Sequence, residues 1–240
     1  MVETTAAVER LARANPGLAV LGPEDPRLAR YGRIADLPGM AALAAAAAPR
    51  IPENLEANAY TASDPDLEAH PSAAAFGPAF GFYPLQVGWN AGPNTRLNGL
   101  EWHKSPEILV AVTDLALLLG RVEEVDWEAP GGPAYSSAAV ECLYLPAGTA
   151  LEIFPGTMHL APCRLSDSGF KSLVILPRGT NEPLAEAEKA GAASRASAGD
   201  GWARLLFMRN KWLLAHPERK VLTDKGAFPG IAGPNVEVRY

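Results

Sequence analysis

Cysteine is nearly absent from this chain. Cys142 and Cys163 are the only two in 240 residues, too few for a disulfide framework. Basic residues are also sparse: 21 Lys and Arg stand against 27 Asp and Glu, a formal net charge of -6, and they nowhere gather into a run of five. That balance argues against nucleic acid and against an anionic membrane surface as partners. Long apolar runs are missing as well. The stretch from Met40 to Ala48 is mostly alanine and falls far short of the ~18 to 20 residues needed to span a bilayer. The opening M-V-E-T-T-A-A-V-E-R has neither the basic start nor the apolar core of a secretion signal, so the expectation is a soluble, cytoplasmic protein.

What is present suits one domain with an extension. Hydrophobic residues make up 48% and charged residues 20%, enough to bury a substantial core. Ala7, Val8, Leu11 and Ala12 recur at helical spacing, which predicts a helix over 4–14 that Asn15-Pro16 stops. A second, alanine-rich helix is predicted over 38–49, and a short one from Asp64 to Ala69. Large apolar residues are too few before residue 80 to form an independent core, so residues 1–80 read as an arm packed on the rest.

From Phe80 onward the texture changes to short apolar segments punctuated by Gly, Pro and Asn. Strands are predicted near 83–89, 97–103, 107–112, 115–121, 140–145, 149–154, 170–176 and 203–214. Many short strands separated by turn signals imply an all-β dominated sandwich or barrel over residues 81–240. The small, polar stretch 182–200 reads as a partly helical or mobile loop.

The densest chemistry lies in L-E-W-H-K-S-P-E, where Glu101, His103 and Glu107 occur, and in F-P-G-T-M-H, which ends at His159. Side chains alternate faces along a strand, so Glu101 and His103 point the same way, and Glu107 keeps that parity if the strand resumes after Pro106. Two carboxylates aimed into an interior repel each other and lose hydration. With two imidazoles beside them they make a set of ligands for a divalent cation: manganese, zinc, iron(II) or nickel.

The segment from Leu100 to Glu107 resembles the first motif of the cupin superfamily, with Glu101 and His103 at the two histidine positions and Glu107 at the glutamate. G-T-A-L-E-I-F-P-G-T-M-H, from Gly148 to His159, resembles the second motif, with His159 as the last ligand. L-E-W-H-K-S-P-E, A-V-T-D-L-A-L-L-L-G, L-P-A-G-T-A, L-A-P-C and R-N-K-W-L-L-A-H-P-E together resemble a bacterial cupin family of unknown function. A more distant likeness is to ureidoglycolate lyase, through Glu101 with His103 and Gly156 to His159 with Pro162. The resemblance implies a jelly-roll β-barrel that holds one metal ion on Glu101, His103, Glu107 and His159. It also implies a homodimer.

Other residues are weaker candidates. Gln86, Arg96 and Asn98 are candidates for binding substrate, although Asn90, Asn94 and Asn98 also suit the turns of a Gly/Pro-rich loop. Glu152 and Lys171 are candidate acid/base groups, and whether Lys171 faces inward depends on strand register. Arg209, Asn210 and Lys211 interrupt an apolar run as a bulge, a dimer contact or an anion clamp. Cys163 reads as a small buried thiol, and His70 and His216, each before a proline, as surface residues.

The expected function is a metal-dependent enzyme acting on a small polyhydroxy or hydroxy-acid metabolite, a sugar isomerase or epimerase of carbohydrate metabolism. A carbon–nitrogen lyase and a non-catalytic binding cupin are the alternatives. A cationic pocket built from Arg96, Lys171 or Arg164 would favour the lyase.

Overall fold

The computed structural model describes residues 2–240. Helix α1 (Val2–Ala14) precedes β1 (Ala19–Leu21) and β2 (Gly32–Ile34); α2 (Met40–Ala47), β3 (Ala59–Thr61) and α3 (Pro65–Glu68) follow. The central strands are β4 (Leu85–Gly92), β5 (Gly99–Trp102), β6 (Glu107–Ala111), β7 (Leu115–Arg121), β8 (Tyr135–Ser136), β9 (Glu141–Leu145), β10 (Ala150–Ile153), β11 (Thr157–Met158), β12 (Cys163–Arg164) and β13 (Phe170–Pro177). The chain ends with α4 (Glu186–Ser197), α5 (Gly201–Leu205), β14 (Leu206–Met208), β15 (Lys211–Ala215), α6 (Lys220–Thr223) and β16 (Ile231–Ala232).

Two large sheets face each other. One has the order β2-β10-β6-β13-β4-β3, the other β1-β9-β7-β11, with β12 also on β7. A small sheet, β14-β15-β5, continues the second where Glu101 and His159 exchange backbone hydrogen bonds of 2.6 and 2.8 Å. The protein is therefore sheet-rich, with most pairings antiparallel. The closed jelly-roll barrel that the resemblance implied is not drawn by these bonds, because the strands among the described residues divide into separate sheets.

The space between the sheets is filled at one end by Leu109, Leu115, Leu117, Leu119, Leu143, Leu151 and Phe170, all almost fully buried. Both sheets are covered on their outer faces too. Met40, Leu43, Phe76 and Phe80 from the first eighty residues pack on Ile108, Val110, Leu173 and Ile175. Leu11, Leu205 and Val238 pack with Leu118, Cys142 and Tyr144. A strand covered on both faces must be apolar at nearly every position, and β6, β7 and β13 are.

The first eighty residues also add strands at sheet edges: β1 on β9, β2 on β10 and β3 on β4. Close approach of β3 needs glycine at one place. A methyl group on Gly88 would run into the Thr61 carbonyl and Ala62. One expectation is corrected, and the partly helical reading of 182–200 holds. Residues 203–214 are not one strand: α5 leads into a hairpin, β14 to β15, that turns at Arg209-Asn210. Within 182–200 lies the regular helix α4, tied to the hairpin by Arg209, which pairs with Glu182 and Glu188. No helix among the described residues is long and apolar enough to cross a membrane.

Candidate metal centre

Strand β5 is sandwiched edge to edge between β15 and the His159 segment, and its alternation sends Leu100 and Trp102 to the outer core. Glu101 and His103 therefore point between the sheets. After the turn at Lys104–Pro106, β6 resumes with Glu107 facing inward beside Leu109, while Ile108 and Val110 face out. His159 follows β11, directly across from Glu101.

All four side chains are buried: Glu101 is 8% exposed, His103 2%, Glu107 4% and His159 3%. Ligand atoms of Glu101, His103 and His159 lie within 4.8 Å of one another, a group able to hold a metal ion. One oxygen of Glu107, Oε2, sits 3.2 Å from His159 Nε2 and 3.4 Å from His103 Nε2. Glu101 Oε1 is 3.9 Å from His103 Nε2. Neighbouring donors around an octahedral ion with ~2.1 Å bonds are about 3 Å apart, so this spacing is that of a slightly open ligand shell.

The tautomers matter more than the distances. His103 Nδ1 lies 2.6 Å from the Asn210 carbonyl oxygen, and His159 Nδ1 lies 3.2 Å from that of Thr157. A carbonyl only accepts, so each Nδ1 carries a proton and donates it. In the neutral rings both Nε2 lone pairs then face the Glu107 carboxylate. His103 Nε2 is buried with no hydrogen-bond partner at all. Such an arrangement needs a proton or a cation among the three groups.

The titration behaviour reflects the same conflict. Burial by itself would raise the Glu107 carboxyl, but the charge and hydrogen bond of His159, with the His103 imidazole 3.4 Å away, outweigh it and hold the group well below the usual carboxylate range. Burial by itself would lower His159, yet the charge and hydrogen bond of Glu107 outweigh that, and its pKa is raised.

A cavity of about 190 Å³ opens on this cluster, room for about six waters at ~30 Å³ each. Its wall is rich in amides: Asn58 and Asn90 on one side, Asn181 on another, with Tyr60 from β3 and Lys211 from β15. Lys211 Nζ is in direct contact with Glu101 Oε2. The Tyr60 hydroxyl accepts a hydrogen bond of 3.0 Å from the Asn181 amide. Burial, with smaller contributions from the charges of Glu107 and Glu101, pushes the Tyr60 hydroxyl up to about 12, partly offset by Asn181.

Glu101, His103, Glu107 and His159 thus converge. The other candidates do not reach the cavity. Gln86 shares the inward face of β4, but its amide is spent on the Thr180 carbonyl and the Gly179 N–H. Arg96 is at the surface against Glu237, and Asn98, at φ 58°, bonds Asn94 and Asn235 in a turn. Glu152 sits opposite Ile108, on the outer face, and pairs with Arg33. Lys171 sits opposite Ala91, also on the outer face, and its ammonium meets Glu53 and the Ala48 carbonyl. Arg164 stacks on Tyr240, so no cationic pocket forms from Arg96, Lys171 and Arg164. His216, expected at the surface, is 4% exposed and bonded to the Gly233 carbonyl.

Lys211, Tyr60 and Asn181 are the additions that tertiary structure makes. The interruption of an apolar run by Arg209, Asn210 and Lys211 was the one signal for Lys211. Tyr60 lies in a three-residue edge strand and Asn181 in a turn at φ 68°, and neither stands out in sequence.

A sheet-rich fold with a buried Glu/His cluster at the floor of a small cavity of mixed polar and apolar lining is the class these features define. The chain belongs to the family described as a domain of unknown function, DUF4867, whose model matches residues 22–236. No curated protein matches it in sequence. Among solved structures it is similar to an oxalate decarboxylase of Bacillus subtilis, at 13% identity over 53% of this chain and 27% of that one, with a TM-score of 0.30. An oxalate decarboxylase of Lactobacillus farciminis gives 16% identity, 53% and 30% coverage and a TM-score of 0.30. The capsular polysaccharide assembling protein CapF of Staphylococcus aureus gives 16%, 39% and 23%, with 0.28. The chain spans less than a third of the length of each of these proteins. The likeness to ureidoglycolate lyase finds no support among them.

Proposed function

We propose that Glu101, His103, Glu107 and His159 hold one divalent metal ion in an open cupin-type site, and that the protein is an enzyme acting on a small polyhydroxy or hydroxy-acid metabolite. The observation that carries this reading is the pair of imidazoles whose Nδ1 protons are committed to backbone carbonyls, leaving two Nε2 lone pairs aimed at a buried carboxylate. Mixed oxygen and nitrogen donors without thiolate suit manganese, iron(II), nickel or zinc.

A bound ion supplies Lewis acidity to a substrate oxygen. The chain's own groups do the rest. The cavity, about 190 Å³, is of a size for one small metabolite. Asn58, Asn90 and Asn181 offer both donors and acceptors, which suits hydroxyl groups. Tyr60, with its proton held to about pH 12, donates to a substrate oxygen throughout the neutral range. Glu101, with Oε1 near His103 and Oε2 against Lys211, is the carboxylate we assign to take and return a proton in an isomerisation or epimerisation. A homodimer and a division into an arm of residues 1–80 and a barrel of 81–240 complete this reading.

The experiment is metal analysis by plasma mass spectrometry on protein purified without chelator, for the wild type and for His103→Ala. Near-stoichiometric metal in the wild type and loss in the variant are expected. That ion is then supplied in turnover assays on aldose–ketose and hydroxy-acid epimer pairs. No metal in either protein, and no uptake on titration, would overturn the metal site; stoichiometric metal with binding but no turnover would make the protein a binding cupin.

A further inference from the structure

We infer that the cavity selects a monoanionic hydroxy acid, a carboxylate with a neighbouring hydroxyl, over a neutral polyol of the same size. The inference rests on the metal-site reading and narrows its substrate class. Three observations carry it.

The first is charge. The ionic groups lining the cavity, apart from the imidazole of His159, are Glu101, Glu107 and Lys211. Two carboxylates and one ammonium leave one negative charge, and a divalent ion turns that into one positive charge. With neutral imidazoles, a singly charged anion brings the loaded site to neutrality. A neutral ligand leaves a net charge in a poorly solvated place, which is unfavourable.

The second is the reach of Lys211. Its side chain is 14% exposed, and it lines the cavity while touching only one oxygen of Glu101. An ammonium has three N–H donors, so Lys211 can hold Glu101 and a substrate carboxylate at once. Arg209 beside it is fully engaged with Glu182 and Glu188, outside the cavity.

The third is an unmet acceptor. Asn181 lines the cavity, and its Oδ1 is buried without a hydrogen-bond partner while its amide nitrogen holds Tyr60. A buried acceptor without a donor costs free energy, and rotation of the Asn181 amide toward the cavity that the residue lines would let a ligand hydroxyl recover it. A carboxylate by itself has no donor for it, whereas a hydroxy acid has both groups.

The test uses full-length protein loaded with the metal that it is found to carry. Calorimetric titration compares D-erythronate and L-threonate with erythritol and threitol, and with inorganic phosphate as a simple anion. The hydroxy acids are expected to bind about tenfold tighter than the matched polyols, the worth of one charge-assisted contact, and tighter than phosphate. Lys211→Met, which keeps the aliphatic stem, should shrink that advantage to about threefold or less, while Lys211→Arg keeps most of it. Asn181→Asp should weaken the acids by charge repulsion and leave the polyols nearly unaffected.

Equal or tighter binding of the polyols by metal-loaded protein would overturn the inference and leave the metal site standing. So would phosphate binding as tightly as the acids, or no acid binding at millimolar concentration. Failure to take up metal at all would be the separate failure of the reading on which it rests.

Discussion

His103 Nδ1 lies 2.6 Å from the main-chain carbonyl oxygen of Asn210, a residue 107 positions away. That contact orients a proposed metal ligand through the turn of a hairpin whose remaining side chains are also engaged. Asn210 adopts φ 52°, and its side chain meets the Lys104 N–H, the Ser105 hydroxyl and the Thr180 hydroxyl. Lys211, next along, touches Glu101. The hairpin thus supports Glu101 of β5 and His103 just beyond it.

Asn210→Ala keeps that carbonyl but strains the turn that aims it and removes the side-chain bonds, and it should therefore weaken metal binding by about 10- to 100-fold, the usual effect of disturbing a partner that orients a ligand. Alanine disfavours the left-handed backbone by roughly 1–2 kcal/mol. Asn210→Gly tolerates that backbone and keeps the carbonyl, so its loss should be the smaller of the two. Competition titration against a metal-binding dye measures both, and equal losses would show that the side-chain bonds, not the turn, hold His103 in place.

The metal-free protein should have a bounded pH range of stability. Glu107 is depressed on folding, so its contribution is present above its ordinary value of 4.5 and fades as pH falls through the folded value. His159 is raised, so its contribution is full below its ordinary value of 6.5 and is lost as pH rises through the folded value. Thermal unfolding of chelator-treated protein should show a maximum between those values and a decline toward pH 9. Because the ion must displace the proton on His159, metal uptake should tighten over the same rise in pH. A melting temperature of the metal-free protein that climbs from pH 6.5 to 9 would contradict this.

Glu152→Gln and Lys171→Met should leave metal content unchanged, since both side chains sit on the outer face of their sheet. The Arg33 partner of Glu152 is 66% exposed, so breaking that pair should cost no more than about 1 kcal/mol. Lys171 is 6% exposed and also bonds a backbone carbonyl, so its loss should cost about 1–3 kcal/mol. Denaturant midpoints and metal analysis of the two variants check both statements.

Gly88→Ala should destabilise the fold by about 1–3 kcal/mol through overpacking against the Thr61 carbonyl. Because β3 carries Tyr60, displacing it should also weaken ligand binding while metal content persists. Calorimetric unfolding together with ligand titration would separate the two effects.

The convergence of Glu101, His103 and Glu107 was legible in sequence because it depends on local rules. Strand alternation puts Glu101 and His103 on one face whatever surrounds them, and a short turn restores parity at Glu107. The strand positions were legible for a related reason: short apolar runs between Gly, Pro and Asn have few other ways to satisfy their backbone. Alternation could not say which face is inside. With residues 40–80 covering one sheet and α1 and the C-terminal segments the other, both faces of β6, β10 and β13 are buried. Glu152 and Lys171 then look no different from inward residues until register is known. Nor could sequence place Asn210, Lys211, Tyr60 or Asn181, which come to the cavity from a distant hairpin, an edge strand and a turn. Local spacing determined the proposed metal ligands; the packing of distant segments decided their orientation and what the cavity offers a ligand, because long-range contacts depend on the whole core and not on neighbouring residues.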